Sequence, residues 1–374
     1  DEYDICGIAG TSLSSTFSYE FARSLAERHA ERLSIDWESY ANSERLGIVL
    51  AQLVPSARED YSVEPHVNWR EWVETLGGLP WLLKHVPPRT YDLLEIPLWW
   101  RPTPQESRSG LRVASDQLYL HDGPLLKRRD VTVEAEFAAP PLRPQRVAKK
   151  QAQAVMGAII DASAIRYREL YGFSFPDLDA FYRVSFGRGV DVYYFGVPKE
   201  HELPARGYYG GMFFKNGVPM GYIEGLSMFE RMEMGFNLYH TFREGETAWL
   251  YVKLLKLLRE QAGVRCFTID PYQIGHDNPE AIESGAFWFY YKLGFRPART
   301  ELAGLAHAEE HKIASRKDYR TPARVLRRLA DGILYLGESP EWGDFSIHRW
   351  ALHRAGARSL KFSRKSTLSR GKQA

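Results

Sequence analysis

The sequence predicts an α+β protein: a mixed, mostly antiparallel sheet flanked by helices, with a mostly helical N-terminal extension. Three observations predict it. Asn216-Gly217 separates the apolar runs Tyr208–Lys215 and Val218–Leu226. A type I′ turn needs positive φ at both central residues, so Asn-Gly between such runs marks a hairpin. Next, a strand-like run from Met232 to Tyr239 leads into the turn Arg243-Glu244-Gly245-Glu246-Thr247-Ala248. A helical pattern with Trp249, Val252, Leu255 and Leu258 follows, then a second apolar run, Val264–Ile269. Strand, turn, helix, strand is a βαβ unit. Third, the first hundred residues carry apolar side chains mainly at helical spacing.

In chain order, residues 16–54 read as helix on Phe17, Phe21 and Leu25, then Leu46, Val49, Leu50 and Leu53. Trp69, Trp72, Val73 and Leu76 predict a short helix that Gly77-Gly78-Leu79-Pro80 breaks. Residues 101–150 are punctuated by Pro102, Pro104, Pro124, Pro140, Pro141 and Pro144, and Val131–Phe137 alternates like an edge strand. Nothing in residues 1–150 points to chemistry. The stiff Pro140–Pro144 stretch places a boundary near 145. A long helix is expected over 148–171, and strands over 181–197 around Gly187-Arg188-Gly189. Glu280–Leu293 reads as one aromatic helix, followed after Phe295 by helix rather than strand. Residues 301–331 read as polar helix and Ile333–Leu336 as a last strand. Four parts follow: 1–145, 146–300, 301–357, and a basic tail, 358–374, expected to be disordered.

The 374 residues are 44% hydrophobic and 26% charged, as in a soluble globular chain. The net charge is +2, and the tail alone holds six cations and no acid, so a nucleic-acid partner is not favoured. Cys6 and Cys266 cannot build a disulfide framework; Cys266, inside an expected strand, reads as a small buried hydrophobe. That fits a reducing, cytoplasmic setting. No run of about 18 apolar residues predicts a membrane span. With 10 Trp, 21 Tyr and 19 Phe, an aromatic-lined cleft is expected besides the core.

The turn at 243–248 is the first candidate site. A helix N-terminus presents unpaired N–H groups and a partial positive charge. Gly245 admits a close approach and Arg243 adds a cation, a combination suited to a diphosphate. Glu244 and Glu246 must then point away from the anion or serve only the helix dipole; plain helix capping is the simpler reading of the turn. In the aromatic helix, adjacent Tyr290 and Tyr291 project about 100° apart, so one can face the core and the other a cleft. A cleft tyrosine can act as a general acid. Glu224, Glu230 and Glu233 are candidate bases, if an apolar cleft raises one of them. Glu230 and Glu233, an odd number apart, face opposite sides of a regular strand, so at most one serves. His307-Ala308-Glu309-Glu310-His311 matches the inverted zinc-peptidase signature, with Glu310 as base. Its very polar surroundings suit an ordinary exposed helix face, so no metal is expected.

Together these residues resemble the GNAT acyltransferases, the GCN5-related N-acetyltransferase superfamily, over about residues 150–300. Arg243-Glu-Gly-Glu-Thr-Ala248 is similar to the family's pyrophosphate loop, and Tyr290-Tyr-Lys-Leu-Gly-Phe295 to its closing Tyr-x-Lys-Leu-Gly-Phe. The resemblance implies binding of acetyl-CoA or another acyl-CoA and direct transfer to a small-molecule or peptide amine. Backbone from Gly245 through Glu246 and Thr247 to Ala248 would hold the diphosphate, beside Arg243, and the strand ending at Tyr239 would pair with pantetheine. Tyr290 would protonate the departing thiolate, Glu230 or Glu233 would take the amine proton, and Asn278 or Ser284 would fill the family's polar position before the tyrosine. Alternatives are a GNAT-like binding or scaffold protein without catalysis, transfer from an aminoacyl-tRNA, and the zinc peptidase.

Overall fold

The computed structural model of the chain describes residues 10–338, apart from 64, 65, 109, 117 and 244, together with Ile347. Cys6, Glu244 and the basic tail lie outside the described residues. Packing divides the chain into two compact units: one takes in residues up to Leu118, Arg146–Phe181 and Phe214–Pro219, and the other Tyr119–Gln145, Tyr182–Phe213 and Met220 onwards. At 145 the chain passes from the second unit back into the first.

Up to Leu118 the elements are β1 (Leu13–Thr16), α1 (Tyr19–His29), β2 (Leu33–Ile35), α2 (Glu44–Leu53), α3 (Pro55–Val63), α4 (Trp69–Leu76), α5 (Gly78–His85), α6 (Pro88–Leu94) and β3 (Pro97–Trp100). The helix expected over 16–54 is thus α1, a strand and α2. Phe21 and Leu25 do share the buried face of α1. Leu33-Ser34-Ile35 instead alternates buried and exposed and pairs with β3, which is the period of a strand. β3 lies between β1 and β2, antiparallel to both. In α4 the Asn68 side chain accepts the Glu71 N–H at 3.2 Å, and Gly77 ends the helix at φ 118°.

Val131–Phe137 is not a strand: α7 spans Val133–Ala138. Thr132 caps it by accepting the Ala135 N–H. Val133 and Phe137, four apart, pack on one core face, which two-residue alternation disguised. After β4 (Gln145–Arg146), α8 runs from Lys149 only to Ala164, and α9 covers Tyr171–Ser174.

β5 (Phe181–Gly187) and β6 (Val190–Phe195) flank the positive-φ turn Gly187-Arg188-Gly189. β7 (Gly207–Lys215) and β8 (Val218–Met228) flank Asn216-Gly217, at φ 50° and 79°. β9 (Arg231–Leu238), α10 (Thr247–Ala262) and β10 (Cys266–Ile269) form the βαβ unit, with β9 and β10 parallel. α11 (Pro271–Ile274), α12 (Pro279–Glu283) and α13 (Ala286–Lys292) follow. The single helix expected over 280–293 is broken at Gly285, φ 67°. A two-residue strand, β11 (Arg296–Pro297), stands where helix was expected directly after Phe295. Then come α14 (Thr300–Ser315), α15 (Ala323–Leu329) and β12 (Leu334–Gly337), the expected last strand.

Among the described residues the large sheet has nine strands in the order β11-β12-β10-β9-β8-β7-β6-β5-β4. β8 with β9, and β12 with both β10 and β11, pair antiparallel, so the α+β, antiparallel-rich class holds. The core of the second unit centres on α10, which buries Trp249 to Val252 and Leu254 to Leu258. Tyr251 sits fully buried amid the rings of Phe236, Phe289, Tyr290 and Phe295. Cys266 is buried in β10, and burial pushes its thiol up to about 11. No described helix is long and apolar enough to cross a membrane.

Candidate functional site

The parallel pair sets the geometry. β9 and β10 are in register only over Arg231↔Cys266, Met232↔Phe267 and Glu233↔Thr268. β9 then continues to Leu238, while β10 ends at Ile269 and pairs its other edge with β12. The strands therefore part at their carboxyl ends, where α/β sheets open crevices. Gln273 of α11 reaches into this region and donates from Nε2 to the Met234 carbonyl at 2.5 Å. The Tyr290 hydroxyl donates to Gln273 Oε1 at 3.5 Å. Tyr290 thus borders the gap from within the aromatic core, and burial pushes its phenol well above the usual range.

Beyond β9 a 3₁₀ turn, His240–Phe242, leads to the loop. Arg243 donates from Nε to the Leu238 carbonyl at 3.0 Å and from Nη1 to Glu280 Oε1 at 2.5 Å, which ties the loop to the end of β9 and to α12. The Gly245 N–H is spent on the Phe242 carbonyl at 3.2 Å, so it closes the turn rather than facing outward. Thr247 Oγ1 donates to the Arg243 carbonyl at 2.9 Å, and Ala248 is buried. The N-cap residue of α10, Glu246, makes no side-chain cap bond.

Glu246 turns inward. Its carboxylate lies 2.6 Å from Arg188 Nη2 and accepts the Leu126 backbone N–H at 2.9 Å, with 7% of its side chain exposed. Burial works to raise its pKa, but the Arg188 hydrogen bond, the Leu126 N–H and the Arg188 charge outweigh it and hold the carboxyl below its ordinary value. Glu246, one of the two acids in the loop, is therefore paired with Arg188 rather than set against an anion.

On the open side of the loop lies a cavity of about 460 Å³. Arg243, Gly245, Thr247 and Ala248 form one wall, Leu125 to Arg128 the other, and Phe289 closes it. Among the described lining residues are three cations, Lys127, Arg128 and Arg243, and no acid. Arg128 is itself anchored, donating from Nη1 to the Lys292 carbonyl.

The remaining candidates are scattered. Glu230 is exposed in the turn before β9, where its carbonyl accepts the Arg265 N–H. The eight residues of β9 separate it by about 25 Å from the loop end of the strand. Glu233 is buried in β9 between Leu226 and Thr268, and its Oε2 accepts the Ile347 N–H at 2.8 Å. Glu224 lies opposite Gly235, level with the gap, and accepts the Tyr208 hydroxyl at 2.6 Å. Asn278 caps α12 through the Ala281 N–H and donates to the Tyr272 carbonyl, so both ends of its amide hold local structure. Ser284 sits at the break before α13, its hydroxyl on the Ala281 carbonyl. Tyr239 follows the end of β9, its N–H on the Met220 carbonyl. His307 and His311 are exposed on α14, and among the described residues no group of three or more His, Cys, Asp or Glu side chains could hold a metal ion.

Sequence reasoning missed Lys127, Arg128, Arg188 and Gln273. The signals were faint: a Lys-Arg pair after Pro124-Leu125-Leu126, and an arginine between two glycines. Comparison of the chain with protein-family models, with curated proteins and with solved structures gives no match.

Proposed function

We propose that the chain is an acyl-CoA-dependent N-acyltransferase, passing an acyl group, in the simplest case acetyl, directly to an amine. One observation carries this reading. A cavity walled by Lys127, Arg128 and Arg243 meets the start of α10, and Arg243 joins it to the end of β9 where the parallel partner has parted. A long ligand with an anionic head and an extended arm fits such a place. The uncapped N–H groups of Thr247 and Ala248, with the three cations, would hold a diphosphate. The arm would run along β9 from Leu238 towards Gly235 as an added strand, which brings a thioester to the gap beside Gln273 and Tyr290.

There the acceptor nitrogen attacks the thioester carbonyl, the C–N bond forms and the C–S bond breaks. Glu224 or Glu233 takes the proton of the amine. Tyr290, kept neutral by burial, donates a hydrogen bond to the leaving sulfur; its raised pKa makes it a better hydrogen-bond donor than proton source. CoA should raise the melting temperature, because a ligand that binds only the folded chain stabilises it. No shift at millimolar CoA, with Arg243→Ala behaving as wild type does, would overturn the reading.

A second reading, an acyl-CoA-binding protein without transfer, is favoured by the burial of Tyr290, the remoteness of Glu230 and the structural use of Asn278. Thiol release from acetyl-CoA above the uncatalysed rate in the presence of an amine panel excludes this second reading.

A further inference from the structure

The histidine pair of α14 has a geometry that a merely polar helix face does not require. His307 and His311 stand one turn apart, with Nε2 3.2 Å from Nε2 and rings at 84°. Two nitrogens each about 2.0–2.1 Å from a tetrahedral ion stand roughly 3.3 Å apart. Behind His307, Glu310 Oε2 lies 3.8 Å from Nδ1, and the Tyr291 hydroxyl donates to that same oxygen at 3.0 Å. Tyr291 is buried, stacked on Phe287 and edge-on to Trp288. A carboxylate facing Nδ1 favours the proton there, which leaves the Nε2 lone pair for a ligand role. His307 and Glu310 side chains are 68% and 51% exposed, so an ion reaches the pair from solvent with water completing its shell.

We infer that His307 and His311 form a two-point chelating site for a borderline divalent transition-metal ion, binding Cu²⁺ more tightly than Zn²⁺, with Glu310 as the positioning carboxylate anchored by Tyr291. Imidazole ligands select this class over Ca²⁺ and Mg²⁺, and the order of the two ions follows the general affinity series. Among the described residues no third protein ligand joins the pair, which separates it from a peptidase centre and makes the ion exchangeable. In the metal-free state one Nε2 donates to the other.

The test is calorimetric titration of the full chain with Cu²⁺, and separately Zn²⁺, in a weakly coordinating buffer, with electron paramagnetic resonance of the Cu²⁺ form. The expected result is one equivalent of Cu²⁺ showing coupling to two nitrogens. Affinity should fall by about tenfold or more in His307→Ala and in His311→Ala, as a chelate becomes a single ligand. Glu310→Gln, which leaves both ligands in place, should weaken binding by about tenfold. His276→Ala serves as control, because His276 lies near Asp277 and Asp331, a competing surface cluster. Unchanged binding in both α14 variants, equal loss in the His276 control, or no binding by the wild type overturns the inference. Alanine favours a helix, and circular dichroism checks that the variants are folded.

Discussion

Each unit carries a cluster of arginines and carboxylates, and the two clusters are built to opposite ends. In the first unit, Arg28 meets Asp161 at 2.7 Å, and His29 sits with Nε2 3.0 Å from Asp161 and Nδ1 3.2 Å from Arg32. Arg32 grips Glu106 with both terminal nitrogens, at 2.5 and 2.7 Å. Trp100 stacks on the imidazole, centroids 5.0 Å apart. Each of these arginines faces a carboxylate, and His29 and Asp161 between them are buried. In the second unit, Glu246 is claimed by Arg188 and turned inward, while Lys127, Arg128 and Arg243 gather round open space. Paired charges in a core are architecture. Cations collected at a cavity from which Glu246 has been turned away are an invitation to an anion.

The contrast can be broken from either side, beginning where the effect is largest. Asp161→Ala removes the shared partner of Arg28 and His29 in the buried cluster. It should cost about 1–3 kcal/mol of stability in urea unfolding, because buried His29 and partly buried Arg28 lose their shared hydrogen-bond partner, and should leave CoA affinity unchanged. Next comes acid. Glu106 is pushed up by burial but held lower by Arg32 and Thr103, down to about 2, and Glu246 is lowered likewise by Arg188 and Leu126. Groups with depressed folded values stabilise fully above their unfolded value, near 4.5, and lose that contribution as pH falls through the folded value. Unfolding midpoints should therefore be flat above pH 5 and drop below pH 4.5. The drop should be smaller in Glu246→Gln and in Glu106→Gln, each at the expense of stability at pH 7. Arg243→Ala should change stability least, within about 0.5 kcal/mol, since its pair with Glu280 is exposed. Its effect belongs instead to CoA affinity, with a loss of tenfold or more. Equal loss of stability in Asp161→Ala and Arg243→Ala would erase the distinction between the clusters.

Local chemistry was legible in the sequence where it acts over a few residues. Asn216-Gly217 and the βαβ unit depend on neighbours along the chain, and the structure has them. The shortest strands were not legible. β2 has three residues and β11 two, too few to show a period, and Val131–Phe137 fits strand and helix spacing equally until Thr132 caps the helix. At the candidate site, Arg243, Gly245, Thr247 and Ala248 could be named because they are contiguous. The opposite wall could not, because Leu126 meets Glu246 across 120 residues of sequence. The direction in which Glu246 points was decided by Arg188, whose φ of 52° in a glycine-flanked turn no propensity foretells.

Hydrogen exchange of the backbone amides in the presence and absence of CoA tests the central claim most directly, because it reports on the cavity without needing an acceptor. Occupation of the cavity should slow exchange at Thr247, Ala248 and Trp249 and along Leu125 to Arg128, and Arg243→Ala should need about tenfold more CoA or beyond for the same protection. Unaltered exchange in both segments at saturating CoA, or the same CoA dependence of protection in Arg243→Ala as in the wild type, would contradict it.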